Sequence, residues 1–391
     1  MLSGSSMLRS SLCVALLIGV AALAPSADAQ TRKPVCEGLA AAVKALGEQS
    51  LAKGAPGLVM AVDVPGREPV IAAFGSADLE AQAPMRAGAV FKIASLTKQF
   101  TAAAVLALTE DGLLDLDRPA VAYLPEHAFL GDITTRQLLI QTSGLADYAQ
   151  AVEESGAKSA SRSPAQMAAL ISALKPPRTF AAGEAWAYSN SNYVILGLLI
   201  EKLSGQSFET FLESRILARA GMTSSAVDHV ADIVPGRVRG YSRASRAPLK
   251  LRNADWIDPS VPGPAGALRA TAPDLLSWSR SLFSGAIISR QSLDAMTAPG
   301  RLSDGRTTRH GMPAAWREGL KADYAMGLFR SASPLGDRLW HSGDIEGFST
   351  WMAHYPQKGV TLVILMNADF LDLDTAGLEA AAADRRLCPA A

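Results

Sequence analysis

A serine followed three residues later by a lysine is the chemically most suggestive pattern in this sequence. On a helix two such side chains share one face, so the amine can lie against the hydroxyl and take its proton. Four copies occur, at residues 50–53, 155–158, 172–175 and 95–98. The first and the third end predicted helices, and the second lies in a polar segment. Ser95 and Lys98 alone begin a long apolar helix, and they are therefore the candidate nucleophile and its partner.

The predicted position of Ser95 at a helix N-terminus suits a nucleophile. Free backbone N–H groups and the helix dipole favour negative charge there, and attack on a carbonyl produces an oxyanion. The alternative interpretation is that Ser95 caps the helix and that Lys98 is solvated. Other segments of the chain bear on this choice.

Two further segments carry polar groups suited to acyl chemistry. Tyr188 and Asn190 form a Tyr-x-Asn pair just before a predicted helix. A phenol can act as a general base when a cation such as Lys98 lowers its pKa, and an amide can hold a substrate carbonyl. His341 and Gly343 follow a predicted strand, where glycine permits close approach of a substrate and histidine offers a hydrogen bond or a charge. Singly, each residue is more often structural.

Composition and missing motifs exclude several other functions. The 391 residues include 37 Lys and Arg against 37 Asp and Glu, and 49% are hydrophobic. A neutral, apolar-rich chain predicts a globular protein with a small-molecule or peptide substrate and no nucleic-acid partner. Gly-x-Ser-x-Gly, His-Glu-x-x-His, phosphate-loop and dinucleotide motifs are missing, and the five histidines lack metal-ligand spacing. We expect neither a cofactor nor a metal.

The elements that must position these residues come from both ends of the chain. Near the start of the chain, the pattern predicts a helix at 37–53 and strands at 57–63 and 69–74. Near the other end it predicts strands at 338–341, 348–355 and 360–366, followed by a last helix at 375–386. Apolar residues at helical spacing mark 98–110, 164–174, 192–204, 207–218 and 273–283, and the polar segment 147–163 predicts a mobile loop. We predict a discontinuous α/β part (about 37–90 and 320–391), an inserted mostly helical part (about 91–319), and a ligand cleft at their junction.

The first residues have the features of a removable signal peptide. Arg9 precedes an apolar stretch at 12–24, and Ala27 and Ala29 are small residues at the positions that signal peptidase reads. A transmembrane anchor is the alternative, although the apolar stretch is short for one. We expect residues 1–29 to be removed, residues 30–391 to form the catalytic domain without an integral membrane segment, and the protein to be periplasmic or secreted.

Export affects the interpretation of the cysteines. Cys36 and Cys388 remain near the two ends of the mature chain, where an oxidising compartment permits a disulfide. The alternative is two unpaired thiols, because disulfide geometry is strict. If formed, the bond would contribute about 4–5 kcal/mol in the loop-entropy treatment.

Together these motifs and their flanks resemble the serine β-lactamase and penicillin-binding protein family, in particular its class C β-lactamase, DD-peptidase and esterase branch. The resemblance covers nearly all of the mature chain and is carried by residues 91–117, 138–145, 183–205, 221–223, 266–274 and 340–350. It implies a β-lactamase/transpeptidase-like fold, with an antiparallel sheet flanked by N- and C-terminal helices and an inserted mostly helical region.

The resemblance also implies roles for individual residues. Ser95 would attack a carbonyl and form an acyl-enzyme, while Lys98 and Tyr188 would share the proton transfers; which of the two is the general base stays open. Asn190 would orient the substrate. The backbone N–H groups of Ser95 and Asp344 would hold the oxyanion.

The departures from the family pattern concern the substrate. Many β-lactamases of this branch have Lys-Thr-Gly where this chain has His341, Ser342 and Gly343, and a histidine carries less charge at neutral pH than an ammonium. Asp344 adds a carboxylate beside the docking place of an anionic substrate, unless it points to solvent. We therefore expect a serine hydrolase of D-amino-acid peptides (DD-peptidase-like) or of carboxylic esters. A β-lactamase, or a slow penicillin-binding or muropeptide-sensing module, is the alternative.

Overall fold

The fold is built on an antiparallel sheet whose strands come from both ends of the chain. The computed structural model describes residues 32–246 and 249–389, so the predicted signal peptide at 1–29 lies outside the described residues. In chain order the described strands are β1 (Gly57–Asp63), β2 (Val70–Asp78), β3 (Ala83–Pro84), β4 (Phe91–Lys92), β5 (Ala226–Val227), β6 (Tyr241–Ser245), β7 (Lys250–Asn253), β8 (Leu268–Ala270), β9 (Asp323–Tyr324), β10 (Phe329–Ser333), β11 (Gly336–Ile345), β12 (Phe348–Tyr355) and β13 (Val360–Met366).

Helices lie before, within and after these strands. They are α1 (Glu37–Ala52), α2 (Thr97–Glu110), α3 (Thr135–Leu139), α4 (Tyr148–Ser155), α5 (Pro164–Ser172), α6 (Asn190–Ser204), α7 (Phe208–Leu212), α8 (Ala272–Phe283), α9 (Arg290–Thr297), α10 (Thr308–Gly311), α11 (Ala314–Leu320) and α12 (Thr375–Ala383). No helix in the described part of the chain is both long enough and apolar enough to cross a membrane.

The large sheet joins the two ends of the chain at its centre. Its eight strands run in the order β3-β2-β1-β13-β12-β11-β10-β9, so that β1 pairs with β13 and Leu58 lies opposite Met366. Strands β1, β12 and β13 are buried along their whole lengths, because both faces of the sheet are covered. These three strands have the bounds that the sequence predicts.

Alternation along the strands divides the core into two layers. Val59 and Ala61 of β1 face the core shared with α2, α6 and α8, whereas Met60 and Val62 face the layer covered by α1 and α12. Helix α2 is buried from Thr97 to Leu108, polar residues of its first turns included. The inserted region also contains a small sheet, in the order β4-β8-β5, and the β6–β7 hairpin.

Two local features bear on the sequence-based predictions. Cys36 and Cys388 are joined by a disulfide, and their Cα atoms are 5.2 Å apart. The prediction of a mobile loop over 147–163 is wrong for its first half, since α4 occupies Tyr148–Ser155. Asp147 caps that helix by accepting a hydrogen bond from the Ala149 N–H, and the buried side chains of Tyr148 and Val152 hold it to the core.

Candidate active site

Ser95 lies in a tight turn between the small sheet and the central helix. The 3-10 turn Ala94–Leu96 follows β4 and leads directly into α2. Strand β8 fixes both sides of this turn: the Ile93 N–H donates to the Leu268 carbonyl at 2.9 Å, and the Leu268 N–H donates to Thr97 Oγ1 at 3.1 Å. Ala94 has a φ of +47°, a conformation that is costly for a residue with a Cβ. The surrounding bonds therefore hold the serine in a strained, defined position.

Lys98 is fully buried one helical turn after Ser95. Its Nζ lies 3.0 Å from Ser95 Oγ, 2.8 Å from Asn190 Oδ1 and 2.9 Å from the Ala265 carbonyl. Burial lowers the pKa of Lys98 to about 7, against the opposing charge of Asp147. The amine is therefore partly unprotonated at neutral pH.

This geometry prepares Lys98 to accept the proton of Ser95. A protonated ammonium has three N–H donors, which match the three acceptors around it. The neutral amine has two, and the Asn190 and Ala265 oxygens can accept both. Its lone pair is then directed at Ser95 Oγ, at hydrogen-bond distance, which is the arrangement needed for proton abstraction.

A half-buried carboxylate fixes the orientation of the Asn190 side chain. Asp147 Oδ2 accepts from Asn190 Nδ2 at 3.1 Å, and Asp147 Oδ1 accepts from the Asn190 backbone N–H at 3.2 Å. Because the amide nitrogen is held by the carboxylate, the amide oxygen must point at Lys98. Desolvation raises the pKa of Asp147, and its hydrogen bonds and Lys98 act in the opposite direction.

The Tyr188 phenol completes the group around Ser95. The centre of its ring lies 4.8 Å from Lys98 Nζ and 5.8 Å from the Trp316 ring, on which it stacks. Removal from solvent raises the pKa of Tyr188 well above its usual value, and Tyr324 adds to this, while a hydrogen bond with Ser95 lowers it. Tyr188 is thus a proton donor at neutral pH, and Lys98 is the group that titrates there.

Gln141 anchors the segment that carries Tyr188 and Asn190. Its backbone carbonyl accepts from the Ala187 N–H, and its Oε1 accepts from the Ser189 N–H, both at 3.1 Å. It does so from a left-handed conformation with a φ of +65°. Tyr188 is therefore held from both sides.

Strand β11 passes directly beside the serine. A Cβ at Gly343 would lie 3.0 Å from the Ser95 nitrogen and would collide with the Ile93 carbonyl, so only glycine fits. Thr350 on the neighbouring strand donates to the Ile93 and Gly343 carbonyls, at 3.0 and 3.1 Å. Pairing of β10 with β11 ends at Trp340, and beyond it no described strand pairs with that edge of β11.

His341 was expected to offer the substrate a hydrogen bond or a charge, and the structure does not support the charge. Its side chain is 2% exposed, and its Nδ1 lies 2.5 Å from the Ser342 carbonyl while its Nε2 lies 3.3 Å from the Tyr324 hydroxyl. Burial, with a further contribution from Lys98, lowers the pKa of His341 to about 3. The imidazole ring is therefore neutral, and it lies in the wall of the site.

The other predicted strand residues divide between two cavities. A cavity of about 210 Å³ in front of Ser95 is lined by Asn190, Asp344 and Glu346. Ser342 instead lines a second cavity of about 280 Å³, together with Asp372, and Asp344 borders both. The carboxyl of Asp344 is exposed, and its pKa is raised by desolvation and by neighbouring acidic groups. The structure thus brings Ser95, Lys98, Tyr188, Asn190 and Gly343 together, and it separates the Ser342 side chain from them.

Three contributors to the site were not identified from the sequence. Asp147 was assigned to a mobile loop, although its position before α4 has the form of a helix cap. Ala265 acts through its backbone carbonyl, for which a sequence has no signal. Gln141 lies in one of the segments carrying the family resemblance, but its anchoring role depends on a backbone conformation that the sequence does not display.

The chain is similar over most of its length to one family and to several known proteins. A family model described as Beta-lactamase matches residues 39–385. Penicillin-binding protein 4* of Bacillus subtilis (strain 168) is 29% identical over 311 residues, which are 76% of this chain and 64% of that protein. A D-aminopeptidase of Cereibacter sphaeroides is 28% identical over 317 residues, 80% of this chain and 57% of that protein. The chain thus spans less than two thirds of these relatives.

A solved structure extends the comparison to the fold. The crystal structure of a D-stereospecific amidohydrolase from Streptomyces sp. superposes with a TM-score of 0.74 at 26% identity, covering 90% of this chain and 99% of that one. The penicillin-binding protein homologue from Pyrococcus abyssi, at 23% identity, has a TM-score of 0.74 and shares the fold. The predicted family and the predicted β-lactamase/transpeptidase-like fold class are confirmed.

Proposed function

The chain belongs to the β-lactamase family, and on that premise we propose that it is a serine hydrolase that cleaves amide bonds next to D-amino acids through an acyl-Ser95 intermediate. The observation that carries this proposal is the placement of Lys98 Nζ, 3.0 Å from Ser95 Oγ and with its other contacts satisfied by Asn190 and Ala265. A lysine with a pKa near 7 is a suitable general base at neutral pH.

Acylation begins with proton transfer from Ser95 to the neutral Lys98 amine. The serine oxygen attacks the substrate carbonyl, and the negative charge that develops on the carbonyl oxygen faces the backbone N–H of Ser95 and the free edge of β11 at Asp344. Two such donors stabilise the oxyanion, and loss of one typically costs about 100- to 1000-fold in rate. The tight contact of Gly343 with Ser95 sets the spacing of this pair.

The leaving group takes its proton from Tyr188. Tyr188 stays protonated at neutral pH, hydrogen-bonds with Ser95 and lies against Lys98, so it passes a proton to the departing nitrogen and Lys98 resupplies it. Water then attacks the acyl-enzyme, with the same two groups acting in reverse. The neutral His341 takes no part in these transfers.

The charges around the cavity support a substrate with a free amine on its acyl part. Glu153, Asp344 and Glu346 line the cavity, and Lys158 bridges Glu346 at 3.1 Å and Glu153 at 3.5 Å. Glu153 and Glu346 outnumber Lys158, so the cavity attracts a cationic group more than an anionic one. The names of two relatives, a D-aminopeptidase and a D-stereospecific amidohydrolase, agree with this choice.

The direct test compares p-nitroanilides of D- and L-alanine and D- and L-phenylalanine with p-nitrophenyl esters, using wild type and Ser95→Ala. We expect hydrolysis of the D-anilides, its loss in the variant, and a trapped acyl adduct on Ser95 in mass spectra of acid-quenched reactions. Efficient ester cleavage with no anilide cleavage would identify a carboxylesterase instead. Full activity of Ser95→Ala would disprove the catalytic assignment.

A slow penicillin-binding module is the second candidate, and the 29% identity with a penicillin-binding protein favours it. In that case Ser95 is acylated but the acyl-enzyme is not hydrolysed. A fluorescent penicillin would then label the wild-type protein permanently, without turnover of any anilide. Rapid release of the label would contradict this function.

We further propose that the protein is periplasmic or secreted. The features of residues 1–29 support this location, and these residues lie outside the described part of the chain. Edman sequencing of the protein purified from its native host should begin at Gln30, and retention of Met1 would contradict export by this route.

A further inference from the structure

A groove adjoins the cavity in front of Ser95 and is larger than it; it is distinct from the cavity at Ser342. It has a volume of about 450 Å³ and is lined by Lys92, Trp256 and the backbone around Gly240, and it shares Glu346 with the cavity. A small void of about 10 Å³ lies between them; Lys92 lines this void and the groove, and Gly266 and Ile345 line the void and the cavity at Ser95. Lys92 is therefore separated from the cavity by a single layer of shared lining residues.

Lys92 is a half-buried cation without an ionic partner. Among the described residues it has no carboxylate within 4 Å, and its Nζ lies 4.4 Å from the centre of the Trp256 ring. Burial lowers the pKa of Lys92, although Asp228 and Glu346 oppose this effect. A desolvated ammonium that lacks a counter-ion gains most from an incoming carboxylate.

The other ionised side chains around the groove already have partners. The shortest N···O separations of its acidic residues are those of Asp228 with Arg237 (2.9 Å) and Arg269 (3.1 Å), Asp78 with Arg239 (3.3 Å), Asp255 with Arg252 (2.7 Å), and Glu346 with Lys158 (3.1 Å). The lining as a whole is close to neutral, but its charges are not equally available. Lys92 is the lining cation that, within the described residues, has no such pair.

On the proposed mechanism, the acyl part of the substrate lies on the Lys92 side of Ser95. Tyr188 protonates the leaving group and packs beside His341 and Trp316, with ring centres 6.0 and 5.8 Å away. The leaving group therefore occupies that side of Ser95. The acyl part then extends the other way along β11, toward Ile345 and the groove that Lys92 lines.

We propose that Lys92, with Trp256 beneath its ammonium, forms a subsite for a carboxylate carried on the acyl part of the substrate. This inference rests on the proposed hydrolase function and narrows it: the preferred substrates have a cationic amine near Glu346 and an acidic group farther along the acyl residue. D-Aspartyl and D-glutamyl amides have this chemistry, whereas D-asparaginyl and D-glutaminyl amides have nearly the same shape without the negative charge.

The test measures charge preference at constant shape. Values of kcat/KM are determined for D-glutamyl and D-glutaminyl p-nitroanilides and for the D-aspartyl and D-asparaginyl pair, with wild type, Lys92→Met and Lys92→Arg. We expect wild type to prefer the acidic member of at least one pair by about tenfold or more. Lys92→Met should reduce the ratio of kcat/KM for the acidic and the neutral member of each pair to about one, and Lys92→Arg should retain part of the preference. The control is Lys202→Met, an exposed lysine on α6 whose ion pair with Glu126 lies outside the site.

The outcomes separate this subsite from the catalytic function. Ser95-dependent cleavage with no preference for either acidic anilide, or a preference that survives in Lys92→Met, would overturn the subsite and leave the hydrolase function standing. Failure of the wild-type protein to cleave any of the four anilides would instead overturn the proposed amide hydrolysis. The subsite is tested independently by calorimetry on Ser95→Ala, which should bind D-glutamic acid α-amide more tightly than D-glutamine α-amide. Equal or absent binding of the two amides would also overturn it.

Discussion

Replacement of Asp147 by asparagine tests how the site tunes its base. The substitution keeps the size of the side chain and its ability to cap α4, since asparagine and aspartate are comparable caps. It removes the negative charge that acts on Lys98 through Asn190. Because that charge holds the pKa of Lys98 up, its loss lowers this pKa. Activity requires the neutral amine, so the acid limb of the kcat/KM profile, near pH 7 in wild type, moves to lower pH.

The size of this effect follows from the geometry. Asp147 and Lys98 contact opposite ends of one amide group, at 3.1 and 2.8 Å. Two unit charges roughly 7 Å apart interact by about 1–2.5 kcal/mol at effective dielectric constants of about 20–40. Since about 1.4 kcal/mol corresponds to one pKa unit, the limb should move by about one pH unit.

The same substitution should also lower the activity plateau. An asparagine that keeps its oxygen on the α4 N–H groups presents its own NH₂ to Asn190 Nδ2, which places two donors together. The amide of Asn190 then loses its fixed orientation toward Lys98, and an unsatisfied buried group costs about 1–3 kcal/mol. We expect kcat to fall by about tenfold or more.

The assay is the pH dependence of kcat/KM between pH 5 and 9 for a D-anilide at constant ionic strength. Asp274→Asn is the matched control: Asp274 is buried, also with a raised pKa, but it bonds to Ser224 and Ser225, outside the site. This control should keep the wild-type acid limb. An acid limb at the wild-type position in Asp147→Asn would refute the assignment of Lys98 as the titrating base.

Three further predictions concern packing and stability. Gly343→Ala should lower kcat/KM by about 100-fold or more, because its Cβ would lie against the Ser95 nitrogen; wild-type activity with an unchanged circular dichroism spectrum would contradict the close approach. Reduction of Cys36–Cys388, which are 352 residues apart, should lower the free energy of unfolding in urea by about 2–5 kcal/mol, whereas an unchanged midpoint would show that the bond adds nothing. Burial lowers the pKa of His354 to about 4 and that of His341 to about 3, so folding stability should fall from pH 6.5 toward 4 as the unfolded imidazoles take up protons first; His354→Gln should reduce this slope and leave the contribution of His341, and an identical slope would exclude His354 as a source.

The strands of the core were predictable because their apolar runs are continuous and end in turns. Strands β12 and β13 are separated by a Pro-Gln-Lys-Gly turn and have their predicted bounds. Strand β11 was predicted to end at His341 but continues to Ile345, since pairing with β12 overrides a polar sequence. Helix α4 was missed because it has few apolar residues and depends on the burial of Tyr148 and Val152 against the core. Local propensity does not contain such tertiary contacts.

The site was predictable to the extent that its groups occur in recognisable spacing. Ser95 and Lys98 are one helical turn apart, and the Tyr-x-Asn pair has a distinctive form. The charge state of His341 was not predictable, because it depends on burial beside Tyr324 and Lys98. The contact of Asp147 with Asn190 joins residues 43 positions apart. It could not be inferred from the sequence, because it depends on the position of α4 beside α6.

The pairing of β1 with β13 has a consequence for biosynthesis. Leu58 reaches its neighbour Met366 only after more than 300 further residues have been made, and β11 also follows Ser95 by more than 200 residues. A nascent chain that has released Ser95 and Lys98 from the ribosome therefore holds a serine and an amine without the strand edge that completes the oxyanion site. Closure of so long a loop costs conformational entropy, and folds dominated by such distant contacts form slowly. The order of synthesis thus keeps the nucleophile without a completed site until β11 to β13 have been made.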